Sequence, residues 1–162
     1  MIILGVDPGS AIVGYSILEK QKNCLKVIDF GCITTEQSLS TGERLKKIYK
    51  EVSKLIIKYK PDLMSIESLY FFKNLKTIMP VSQSKGVILL AAAEKKIPVL
   101  EFTPLQIKMT VSGYGRAGKK QVIEMIKKIL NLDEFDLKIK NRKKDDSFDA
   151  LGVAICAAYK NY

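Results

Sequence analysis

The chain contains no histidine, so no imidazole is available as a metal ligand or as a general base near neutral pH. Its three cysteines, Cys24, Cys32 and Cys156, are odd in number and lack paired metal-ligand spacing. Each lies in an apolar segment, and they read as small core residues in a reducing cytoplasm, not as disulfides or a zinc site. With imidazole and paired thiols missing, a bound metal would be held by oxygen, which points to Mg²⁺ or Mn²⁺. No apolar run reaches the ~18 residues that a membrane span requires, and the first residues read as a strand, not as a charged leader. No repeat or low-complexity linker divides residues 1–162, so one domain is expected. Acids are few relative to bases, 17 against 27, a net charge of +10. That balance suits a polyanionic partner such as nucleic acid, and an apolar content of 47% argues against disorder.

What is present begins at once. Met1 to Val6 is a short apolar run rich in Ile and Val, the mark of a strand buried on both faces. It ends in Asp7, and Pro8-Gly9 turns the chain. Ile12 to Leu18 and Leu25 to Ile33 follow as strands across a polar connection, and with the first they predict an antiparallel meander. The alternation of Leu25, Val27 and Asp29 is imperfect. Ser40-x-x-Glu43 is a capping box that opens a helix with Leu45, Ile48, Val52, Leu55, Ile56 and Tyr59 at helical spacing. Lys60-Pro61-Asp62 stops it, and Leu63 to Glu67 is a second short strand that ends in a carboxylate. A helical crossover makes this strand parallel to the first and places it alongside, so Asp7 and Glu67 are expected side by side on one sheet edge.

Beyond a mixed segment from Tyr70 to Met79, a helix is expected over Ser82 to Lys96 and a strand over Pro98 to Phe102. Thr103-Pro104 caps a helix to about Val111, residues 112–118 form a loop, and Lys119 to Leu130 is amphipathic. Residues 133–144 lack periodicity and carry five basic side chains between Lys138 and Lys144. A last helix runs from about Asp145 to Tyr159. Asp146 and Asp149 share a face near its start. As acids in a first turn they could simply complement the helix dipole, but Asp145 fits a capping role better. Four acids from distant segments could therefore meet: Asp7, Glu67, Asp146 and Asp149. Clustered carboxylates repel one another unless a cation sits among them. Two Mg²⁺ ions in such a cluster hydrolyse phosphodiesters, while lysines hold the backbone phosphates.

These features resemble the ribonuclease H-like nuclease fold, an α/β fold with a five-stranded mixed sheet of order 3-2-1-4-5 flanked by helices. Within it, the chain is similar to the RuvC family of bacterial Holliday-junction resolvases. The matching blocks are Ile3 to Ser10 with Gly14-Tyr15, Ser65-Ile66-Glu67, Lys85-Gly86-Val87, Gln106-Ile107-Lys108 and Asp146-Ser147-Phe148-Asp149-Ala150-Leu151. They keep the family's order over nearly the whole chain. The resemblance implies that Asp7, Glu67, Asp146 and Asp149 are catalytic ligands for two Mg²⁺ ions per subunit, with Mn²⁺ as a possible substitute. Some members carry His where Asp146 stands, so the set here is fully acidic. The resemblance further implies a cytoplasmic homodimer that binds four-way junction DNA and makes paired symmetric nicks. A RuvA–RuvB branch-migration complex is the implied partner. Lys85, Lys108 and Lys119 are implied DNA contacts. Tyr70 stands where the family has a base-stacking Phe, and Phe71 and Phe72 leave open which ring stacks.

Two rival functions share some of these features. Another nuclease of the same fold could cut RNA–DNA hybrids or other branched DNA. A phosphate-binding ATPase is suggested by Asp-x-Gly-Ser, but it needs a second comparable domain, for which 162 residues are too few.

Overall fold

The computed structural model describes residues 1–22, 24–68, 75–132 and 145–160, the side chains of 75–77 excepted. Strands β1 (Ile2–Asp7), β2 (Ile12–Lys20) and β3 (Leu25–Thr34) form the antiparallel meander. Helix α1 (Thr41–Tyr59) crosses to β4 (Leu63–Glu67), and α2 (Leu75–Glu94) crosses to β5 (Val99–Phe102). Both added strands are parallel to their neighbours, giving the order β3-β2-β1-β4-β5. Helices α3 (Pro104–Ser112), α4 (Lys119–Ile129) and α5 (Asp145–Tyr159) complete the chain. Among the described residues, no helix is long and apolar enough to cross a membrane.

Local signals account for most element ends. Ser40 and Glu43 form the expected capping box on α1, and Thr103 and Gln106 form another around Pro104 at the start of α3. The imperfect alternation in β3 is a bulge. Ile17 pairs with Asp29 and Leu18 with Val27, so Ile28 is the extra residue, and beyond it Asp29 accepts from the Tyr59 hydroxyl of α1. Two expectations differ. Helix α2 starts at Leu75, not Ser82, and takes in Pro80, whose missing N–H makes it read as a helix boundary. Cys24 is exposed and Cys32 half-buried, while Cys156 alone is in the core.

Strand parity divides the core between the two faces of the sheet. Leu4, Val6, Val13, Ile17, Met64 and Ile66 pack with Ile48, Val52 and Ile56 of α1 and Ile88 of α2. Ile3, Leu18, Phe30 and Leu63 face the other way, toward α3, α4 and α5. Helix α5 is buried on nearly every side from Ser147 to Ala158.

A row of small residues lets α5 come this close. Gly5 of β1 pairs with Ser16 of β2 on one side and Ser65 of β4 on the other. A Cβ on Gly5 would lie 2.3 Å from the Ala150 carbonyl oxygen of α5. The flanking hydroxyls instead donate to the helix backbone, Ser16 to the Ala150 carbonyl at 2.8 Å and Ser65 to the Val153 carbonyl at 2.7 Å. Toward the helix N-terminus, Gly14 does the same service, since its Cβ would stand 1.9 Å from the Asp146 carbonyl oxygen. Gly14→Ala must therefore push α5 away from β2. A loss of about 1–3 kcal/mol in urea unfolding is expected, the usual cost of overpacking a close contact.

A carboxylate cleft at the end of the central strands

The parity that points Gly5 and Ser65 at α5 also points Asp7 and Glu67, two residues further on, to the same face. Val6 pairs with Ile66 in the parallel ladder, so the two acids follow as neighbours at the carboxyl ends of β1 and β4. That end is where open α/β sheets hold their ligands. The third acid comes from α5, where Asp149 precedes the Ala150 carbonyl that Ser16 holds. Asp7, Glu67 and Asp149 line one cleft of about 300 Å³, and Lys108 of α3 and Lys119 of α4 line it with them. Its apolar wall is Pro104, Ile107 and Val122.

Burial raises the proton affinity of all three acids. The Asp7 carboxyl is held well above the usual carboxylate range, first by desolvation and then by Glu67, Asp149 and Asp146. Glu67 is pushed up to about 7 by desolvation and Asp149. Asp149 is raised by desolvation, against the pull of Lys119. Asp146 does not line the cleft but stands close enough to repel both Asp7 and Asp149. The counter-charge is Lys119, whose Nζ donates to Asp149 Oδ2 at 3.0 Å and lies 3.5 Å from Asp145 Oδ2.

An all-oxygen, desolvated and mutually repelling donor set fits a hard divalent cation. Among the described residues, no group of three or more such side chains already stands in an arrangement able to hold an ion. Asp149 is turned to the lysine.

The other expected site residues divide. Lys108 and Lys119 reach the cleft. Lys85 does not line it: its side chain is 12% exposed and its Nζ donates to Glu101 Oε2 at 2.6 Å, tying α2 to β5. Tyr70, Phe71 and Phe72 lie outside the described residues, as do the basic side chains between Lys138 and Lys144. Asp145 lies in the first turn of α5 and pairs with Lys119, a role the sequence did not suggest. Ser16 and Ser65 were also missed, although a lone hydroxyl inside an apolar strand is a readable sign of a buried partner.

The family profile described as crossover junction endodeoxyribonuclease RuvC matches residues 3–157. A protein of that name from Halothermothrix orenii is 50% identical over 156 residues, 96% of this chain and 91% of its own length. Another from Alkaliphilus metalliredigens is 49% identical over 162 residues, 100% of this chain and 95% of its own. Among solved structures, T. thermophilus RuvC in complex with a Holliday junction substrate superposes with a TM-score of 0.88 at 26% identity, covering 98% of this chain and 93% of that one.

The raised acids make stability depend on pH in a defined direction. A carboxyl with higher proton affinity in the folded chain than in the unfolded one stabilises the fold while protonated. That contribution is lost as pH rises through the folded value. For Glu67 the window runs from its ordinary 4.5 to about 7, where a chain without histidine has few other titrating groups. In EDTA, the melting temperature of the native chain should fall relative to Glu67→Gln between pH 5 and 8, and Mg²⁺ should reduce the difference. Parallel melting profiles for the two proteins would contradict the electrostatic account.

Proposed function

This chain belongs to the RuvC family of crossover junction endodeoxyribonucleases, and we propose that it resolves four-way DNA junctions by metal-dependent phosphodiester hydrolysis. Supporting this reading is one observation above the rest: three desolvated acids and two lysines share a single cleft at the ends of β1 and β4. In a protein of net charge +10, such a cleft separates two tasks. The basic surface gathers phosphates, and the acidic floor gathers cations.

Asp7, Glu67 and Asp149, with Asp146 alongside, would hold two divalent ions per subunit, Mg²⁺ or Mn²⁺. When bound, the ions supply an activated water and neutralise charge at the phosphorus. Lys108 and Lys119 would contact the phosphate and steady its developing charge. The apolar wall limits the water that can enter beside the attacking one. Tyr70 would stack on bases of the opened junction, an interaction worth ~1–3 kcal/mol per base. Lys85, taken up by Glu101, acts as a structural tie in this account and not as a DNA contact. Residues 1–162 act as one nuclease domain in the cytoplasm. Two copies form a homodimer, cut strands of like polarity symmetrically and work with a RuvA–RuvB complex on the same junction.

A cleavage assay that sets four-way junctions against linear duplexes and RNA–DNA hybrids, with Mg²⁺ or EDTA, tests the reading directly. Junction cleavage only with Mg²⁺ is expected, and a preference for hybrids would replace this function with a different nuclease activity. Asp7→Asn should lower cleavage by about 10³-fold, several kcal/mol of lost charge stabilisation, while junction binding stays intact or tightens. Junction affinity in a gel-shift titration should also fall steeply as salt rises, because lysine–phosphate contacts release counterions.

A further inference from the structure

We infer that the Lys119 ammonium is the resident cation of the metal-free cleft, and that a divalent ion enters by exchanging with it on Asp149. The inference rests on the reading of the cleft as a metal site and adds what the chain does before metal arrives. Asp145 and Asp149 lie one turn apart on α5, a like-charge pairing that destabilises a helix by itself. Lys119 Nζ sits between them, 3.5 Å from Asp145 Oδ2 and 3.0 Å from Asp149 Oδ2. Its influence reaches further, for the same ammonium opposes the raised proton affinity of Asp7 and Glu67.

Local helix stability does not explain this lysine. It is the first residue of α4, where the backbone dipole disfavours positive charge. Lys120 follows it, the first turn holds no acid, and the N-cap Gly118 makes no side-chain cap bond. A charge placed against its own helix is offset here by the acids of another helix. The bond to Asp149 also bears on the arrangement of the acids. One of the three carboxylates lining the cleft is turned to the ammonium, and no group of three among the described residues stands ready to hold an ion. Exchange removes both conditions in one step. The incoming cation takes Asp149, and the freed ammonium, already half-exposed, can turn to the phosphate that the cleft receives. Lys119 is thus a positioning residue in the metal-free state and a phosphate contact in the loaded one.

Mn²⁺ binding without DNA, measured by calorimetry on the full chain, separates exchange from a general effect of charge. Lys119→Met should bind Mn²⁺ about two- to five-fold more tightly, the worth of a partly exposed ion pair. Lys119→Arg, which keeps the pair, and Lys120→Met, which removes a neighbouring charge without one, should both stay near the native affinity. In EDTA, Lys119→Met should melt below the native chain, and saturating Mn²⁺ should close that gap. Unchanged or weaker Mn²⁺ binding by Lys119→Met, or equal tightening by Lys120→Met, would overturn the exchange. Failure of the native chain to bind Mn²⁺ at all would instead remove the metal-site reading on which it rests.

Discussion

The close contact between α5 and the three central strands is the constraint on which the rest of the structure depends. Gly5 offers no side chain, and Ser16 and Ser65 on either side offer only short ones. The helix therefore settles nearly onto the sheet backbone, and two buried hydroxyls fix its height and rotation by bonding to Ala150 and Val153. A neutral hydrogen bond of this kind contributes about 1 kcal/mol, less than the burial of the helix around it. Its larger effect is geometric. Once Ala150 is fixed above Gly5 and Ser16, Asp149 has little choice but to lie over the end of β1. The acids meet because the helix is held there, and their mutual repulsion has to be absorbed by that packing.

Repulsion at the site is the counterpart of attraction elsewhere. Most of the chain's charge is positive, yet the deepest groups of the cleft are carboxyls that burial and each other make reluctant to ionise. Strain of this sort is common where a protein must capture a cation. Lys119 relieves part of it.

Much of this arrangement could be read in the residues themselves. The apolar runs that stop at Asp7 and Glu67, with a capped helix between them, were enough to set two parallel neighbours and an acidic edge. Thr103-Pro104 and Ser40-x-x-Glu43 announced their helices by cap chemistry, which is local. What could not be read was whatever depended on a distant partner. Nothing near Lys85 tells that its charge meets Glu101 across the fold, and nothing near Asp145 tells of Lys119. The mixed pattern of Tyr70 to Met79 gives no sign of a helix start, yet α2 begins within it and takes in Pro80. The exposure of Cys24 likewise depends on what covers the β2–β3 connection, not on its apolar neighbours.

Of the three acids that share the cleft, Asp7 and Asp149 are the farthest apart in the sequence. Closing so long a loop is slow compared with local folding. During synthesis, the sheet and its first helices can form while Asp149, the last of the three acids in the cleft, has yet to be made. A chain that stops before α5 would thus carry the lysines of the cleft but only two of its three acids. The acid set of the cleft is therefore complete only once α5 has been made and packed on the sheet.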